Sequence, residues 1–71
     1  MADNVYSVSE IVGSSATSID DAIRGAVEHA SKTLPPLDWF EVTEIRGHVE
    51  GGTLGHYQVA MKIGFRAADS A

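Results

Sequence analysis

The chain has 71 residues, enough for one small domain over 1–71, and with no cysteine it excludes disulfides and thiolate metal sites. A core of that size usually needs a supplement, and with disulfides absent the expected one is association with further copies. Ten acidic against five basic residues leave a net charge of −5. Without a Lys/Arg cluster, nucleic-acid phosphates and anionic membrane surfaces are excluded as partners.

The first segment, "MADNVYSVSE", has neither the basic start nor the apolar stretch of a signal peptide. No apolar run reaches the length of a membrane span, so a soluble cytoplasmic domain is the expectation. "NVYSVSEIVG" (4–13) alternates, with Tyr6, Val8 and Val12 on one side and Val5, Ser7 and Ser9 on the other. That pattern predicts a strand ended by Gly13 and the two serines after it.

"SIDDAIRGAVEHASKTL" (18–34) places Ile19, Ala22, Ile23, Ala26, Val27, Ala30 and Leu34 on one stripe, the spacing of an amphipathic helix. Ser18 is the expected N-cap, with Asp21 at the third helical position, where an acid also favours the positive helix end. Pro35 and Pro36 cannot donate the next hydrogen bonds and stop the helix. Gly25, inside it, costs roughly 1 kcal/mol against alanine. It either admits a close backbone neighbour or has no packing role, with close packing the favoured alternative.

"LDWFEVTEIRGHVE" (37–50) predicts a long second strand, and Gly51-Gly52 a tight hairpin turn. "LGHYQVAMKIGFR" (54–66) predicts a third strand with the clearest alternation in the chain. Tyr57, Val59, Met61, Ile63 and Phe65 share one face with Phe40 and Val42, and the helix is expected to cover them. The other face takes Trp39, Glu41, Thr43 and Ile45, with His56, Gln58, Ala60 and Lys62, and one helix leaves it uncovered. A lone tryptophan on such a face marks an interface or a ligand site. The fold class expected is α+β, with element order β-α-β-β and a three-stranded antiparallel sheet partly wrapped around one helix.

With these residues placed, "EIVGSS", "LDWFEVTEIRGHVEGG" and "YQVAMKIGFR" resemble, in order and spacing over nearly the whole chain, the segments of the dodecins, small flavin-binding proteins. The resemblance implies a hollow homododecamer with flavin (FMN, or riboflavin or FAD) stacked between tryptophans of neighbouring subunits. It implies that Trp39 is the stacking residue, Gln58 the flavin-contacting glutamine and Arg46, in "IRG", a phosphate contact. Arg66, in "GFR", falls in a segment linked to coenzyme A or phosphate. The chemistry suits these roles. An indole is a flat, electron-rich stacking surface, a carboxamide pairs with a donor–acceptor ring edge, and a guanidinium grips phosphate bidentately. Strict alternation puts Arg46 on the register opposite to Trp39, so it needs either a bulge at Gly47 or a neighbouring subunit to receive it.

Other readings stand beside these. Trp39 is otherwise an interface anchor, Gln58 a solvent-facing strand residue, and Arg46 half of an ion pair with Glu44. His56, two residues from Gln58 on its face, is a candidate pocket wall. The spacing of His29, His48 and His56 matches no strong ligand pattern, so no metal site is expected. Glu41 and Glu44 are expected on opposite faces and so flank no common bond, and no serine has a partnered base or elbow motif. No catalytic residue is assigned. The expected function is storage, buffering and photoprotection of a flavin by a non-enzymatic homododecamer. The alternatives are a structural assembly or coenzyme A-binding shell and, more remotely, a flavin-dependent redox enzyme.

Overall fold

A computed structural model describes residues 5–66. Four elements follow in the expected order: β1 (Tyr6–Ser15), α1 (Ile19–Thr33), β2 (Leu37–Glu50) and β3 (Thr53–Arg66). The sheet order is β1-β3-β2 with both pairings antiparallel, so the last strand of the chain is the central one. Gly51 and Gly52 have φ of 60° and 83°, the left-handed conformations that the two-residue hairpin turn requires.

The first strand runs two residues past its expected end, through Ser15; its expected start, Asn4, lies outside the described residues. Gly13 does not terminate β1. It is where the helix crosses it: a Cβ there would stand 2.2 Å from the backbone oxygen of Ala22 and 2.9 Å from the Cβ of Ala26. Gly25 has no such neighbour within 4 Å, so the close backbone approach belongs to the strand glycine and not to the helical one.

Ser15 closes the strand-to-helix turn. Its hydroxyl donates to the Asp21 carboxylate at 2.8 Å and accepts from the N–H groups of Thr17 and Ser18 at 2.9 and 3.3 Å. Ser18 is the N-cap and accepts from the Asp21 N–H at 3.0 Å. Asp21 therefore turns its carboxylate to Ser15 and does not bond back to Ser18, because Ser15 already holds that N–H.

Ala22, Ala26 and Ala30 are the buried residues of the helix. The first two pack on Val59, Met61 and Ile63 of β3, each at most 1 % exposed. Small residues along the centre of the stripe bring the helix axis close to the sheet. Ile19, Ile23, Val27 and Leu34 flank that contact, and Ile11, Val42 and Phe65 meet it from the strands. The helix lies over β1 and β3. Phe40, paired with Ile63 and thus on the helix side, is left 48 % exposed, since β2 is the far edge strand.

The strict alternation expected of β2 fails twice: at Asp38, skipped between the Leu37–Phe65 and Trp39–Gly64 pairs, and again five residues on. Val42 pairs with Met61 and Glu44 with Ala60, so Thr43 is a bulge, its hydroxyl donating to the Ala60 carbonyl at 3.1 Å. Beyond it the parity reverses. Ile45 pairs with Val59 on the helix-side register, and Arg46 pairs with Gln58 on the open side, opposite to expectation for both. The bulge that turns Arg46 is Thr43, not Gly47. Glu44 joins Glu41 on the open face for the same reason, and its carboxylate is taken up by Arg46.

Candidate functional site

The sheet face opposite the helix carries every residue singled out for ligand contact. On β3 it presents His56, Gln58, Ala60, Lys62, Gly64 and Arg66, and on β1 Tyr6, Val8 and Val12. On β2 it presents Trp39 and, past the bulge, Arg46 and His48.

Trp39 is the direct partner of Gly64, and its indole lies across that glycine. A Cβ at position 64 would stand 2.0 Å from Trp39 Cε2 and 2.2 Å from Cζ2. Beyond Gly64 the indole approaches Tyr6 of β1, with ring centroids 6.5 Å apart and planes tilted by 57°. The ring thus rests on bare backbone, edged by a second aromatic, and stays 40 % exposed. A tryptophan so placed contributes little to the core and offers a flat apolar surface. Arg66 pairs with Tyr6 at this same end of the face.

Gln58 lies at the other end, between Ser14 of β1 and Arg46 of β2. His56 is the next residue toward the turn on this face, opposite His48, and the two imidazoles stack with centroids 4.3 Å apart and planes 17° apart. Arg46 donates through Nη2 to Glu44 Oε1 at 2.5 Å, in a pair whose side chains are 59 % and 63 % exposed. Such an exposed pair contributes about 0.2–1 kcal/mol, so the guanidinium exchanges partners at small cost.

The five candidate residues therefore fall into two groups: Trp39 with Arg66, and Gln58 with Arg46 and His56. Gln58 lies six strand rises before Gly64 on β3, about 20 Å. That exceeds the span of one tricyclic ring, so one chain does not bring its own Trp39 and Gln58 to the same ring. Among the described residues no three His, Cys, Asp or Glu side chains converge as a metal site, and no helix is long and apolar enough to cross a membrane.

Sequence reasoning passed over two neighbours of Trp39, Gly64 and Tyr6, and did not place His48, set aside as a metal ligand, against His56. Gly64 had a readable signal, because an isolated glycine inside a strand often marks close approach by another group. Tyr6 and His48 had none, since their places depend on the sheet order and on the bulges.

The sequence model of one family, described as Dodecin, matches residues 5–68. The chain is 44 % identical over 66 residues to the dodecin of Thermus thermophilus, an alignment covering 93 % of this chain and 96 % of that protein. The solved structure of dodecin from Streptomyces coelicolor is 50 % identical and superposes with a TM-score of 0.90, covering 99 % of this chain and all of that one. More distant, at 28 % identity and a TM-score of 0.78, is a calcium dodecin from Mycobacterium tuberculosis, described as a calcium-chelating antigen with a novel calcium-binding site; the match covers 94 % of this chain and 96 % of that one.

Proposed function

The chain belongs to the dodecin family, and from that premise we propose that it is a flavin-binding protein, holding FMN or a related flavin at contacts between copies of itself in a homododecamer of the cytoplasm. The observation that carries this reading is Trp39, 40 % exposed and lying across Gly64 on a sheet face that no described element of its own chain covers. The donor chemistry of that face fits a flavin. An exposed indole stacks on an electron-poor ring, with a gain of about 0.5–1.5 kcal/mol beyond the area buried. The Gln58 carboxamide offers a donor and an acceptor side by side to a pyrimidine-like edge. Arg46, opposite Gln58, exchanges its exposed carboxylate partner for a phosphate, which favours FMN over riboflavin.

The distance between the two groups gives the site its intersubunit character. With Trp39 and Gln58 about 20 Å apart along one sheet, a ring that touches both takes them from two chains. The flavin would be held and shielded, and no residue is assigned a catalytic step. An indole in contact with an excited flavin supplies an electron-transfer route that dissipates the excitation, and that contact would give photoprotection.

A second reading has its own support. Tyr6, Val8 and Val12 are 42 %, 52 % and 63 % exposed on the same face as Trp39, a pattern that also suits a surface buried only by assembly. A structural shell, or one that takes coenzyme A at Arg66, would need no flavin. Flavin fluorescence separates the two readings. Titration of FMN with the protein is expected to quench the flavin, and Trp39→Ala is expected to keep the oligomer while abolishing most of the quenching. Loss of the oligomer in Trp39→Ala with unchanged quenching would favour the interface reading of Trp39, and an assembled parent protein that quenches neither FMN nor riboflavin would overturn the flavin reading.

A further inference from the structure

His48 has no part in the flavin reading, yet it is held face to face with His56. The two are direct partners across the β2–β3 pairing, at the end of the open face that carries Gln58 and Arg46. Their register is set by a further bulge, on β3. Val49 pairs with Leu54 and His48 with His56, which leaves Gly55 as the extra residue on β3. Were the register of the Val49–Leu54 pair continued without a bulge, His48 would face Gly55, and no second imidazole would stand opposite it. His48 is exposed and His56 half-buried, so both rings are reachable from solvent.

We propose that His48 and His56 form a bidentate site for a borderline transition-metal cation, Zn²⁺, Ni²⁺ or Cu²⁺. Direct cross-strand partners hold their Cβ atoms about 4.5–5.5 Å apart. Two nitrogens on one tetrahedral zinc, each at about 2.0–2.1 Å, lie about 3.3 Å from one another. Rings with centroids 4.3 Å apart reach that spacing by side-chain rotation alone, with no movement of the strands. Imidazole nitrogen suits these cations and does not suit calcium, which takes oxygen ligands. The nearest cation on the face, Arg46, is turned to Glu44 and neutralised by it, which lowers its repulsion of a bound metal. Water, or a histidine pair from a second copy, completes the coordination.

The test uses the full chain, purified without an affinity tag, stripped by a chelator and kept free of flavin, so that its outcome is independent of the flavin reading. Calorimetric titration with Ni²⁺ or Zn²⁺ is expected to show saturable binding, with no heat from Ca²⁺, and a rise in Tm on metal addition. His48→Phe and His56→Phe, which keep an aromatic pair but remove a ligand, are each expected to weaken binding at least tenfold. His29→Gln, on the helix, is expected to leave it unchanged. In the unmutated protein, Ni²⁺ is expected to broaden the ring proton resonances of His48 and His56 before those of His29, a readout that needs no variant to fold. Absence of binding, equal affinity in a folded double variant, or first broadening of His29 would overturn the proposal.

Discussion

At the residue scale, the position of Trp39 depends on a side chain that is not there. Gly64 leaves the backbone bare, the indole fills the space, and Tyr6 bounds it from the neighbouring strand. Restoring a Cβ at 64 forces the ring off the sheet, because the clash is with the indole itself and not with a movable tip. Gly64→Ala is therefore expected to shift the intrinsic tryptophan emission and to weaken FMN quenching at least tenfold. Its effect on thermal unfolding is expected to be smaller than that of an equal change in the core, since the open face has room for the displaced ring. Unchanged emission and unchanged quenching would mean that Gly64 does not set the indole position.

At the element scale, the same steric logic assigns opposite signs to two glycines. Gly13 lies where α1 crosses β1, and a methyl group there meets the Ala22 backbone oxygen, which cannot turn aside. Gly13→Ala is expected to destabilise the fold by about 1–3 kcal/mol, the usual cost of overpacking. Gly25→Ala adds its methyl into open space on the helix, where alanine is the better helix former, and is expected to stabilise by about 0.5–1 kcal/mol. Urea unfolding midpoints of the two variants, moving in opposite directions, check this; a common direction would refute the assignment of the close approach to Gly13. Two of the three bulges in the hairpin act at this scale as well. Gly55 on β3 and Thr43 on β2 each insert one residue, and they offset one another. Between them the pairing is shifted by one residue. That interval holds Arg46 and His48, and its reversed parity is what places them beside Gln58 and His56.

At the scale of the whole molecule, the chain is too open to stand alone. A 15-residue helix is about 22 Å long, whereas strands of 14 residues reach about 46 Å, so the β2–β3 hairpin runs on past its cover. The result is a body of 56 × 20 × 13 Å with a radius of gyration of 14.8 Å, against about 11 Å for a compact domain of this length. Val49 and Leu54 near the turn are 69 % and 57 % exposed, and the open face adds Trp39, Val8 and Val12. Apolar surface in this proportion is covered by copies of the same chain in the proposed assembly. Light scattering on the purified protein is expected to give a mass of twelve chains, and a monomer at micromolar concentration would overturn the intersubunit site together with the assembly.

Most of the architecture was legible in local pattern. The 3.6-residue period of residues 18–34, the alternation in residues 54–66, the two prolines and the Gly51-Gly52 turn delimit the four elements, because each is a property of neighbours along the chain. Alternation alone also put Trp39 and Gln58 on the uncovered face. What tertiary structure decided is everything that depends on pairing: β3 at the centre of the sheet, the helix on β1 and β3, and the indole on Gly64. It also decided the Thr43 bulge, which one hydroxyl-to-carbonyl bond accompanies and no sequence signature announces. The physical reason is parity. In a strand, one inserted residue exchanges the two faces for everything beyond it, so a local pattern read correctly still misplaces Arg46 until the partner strand is known.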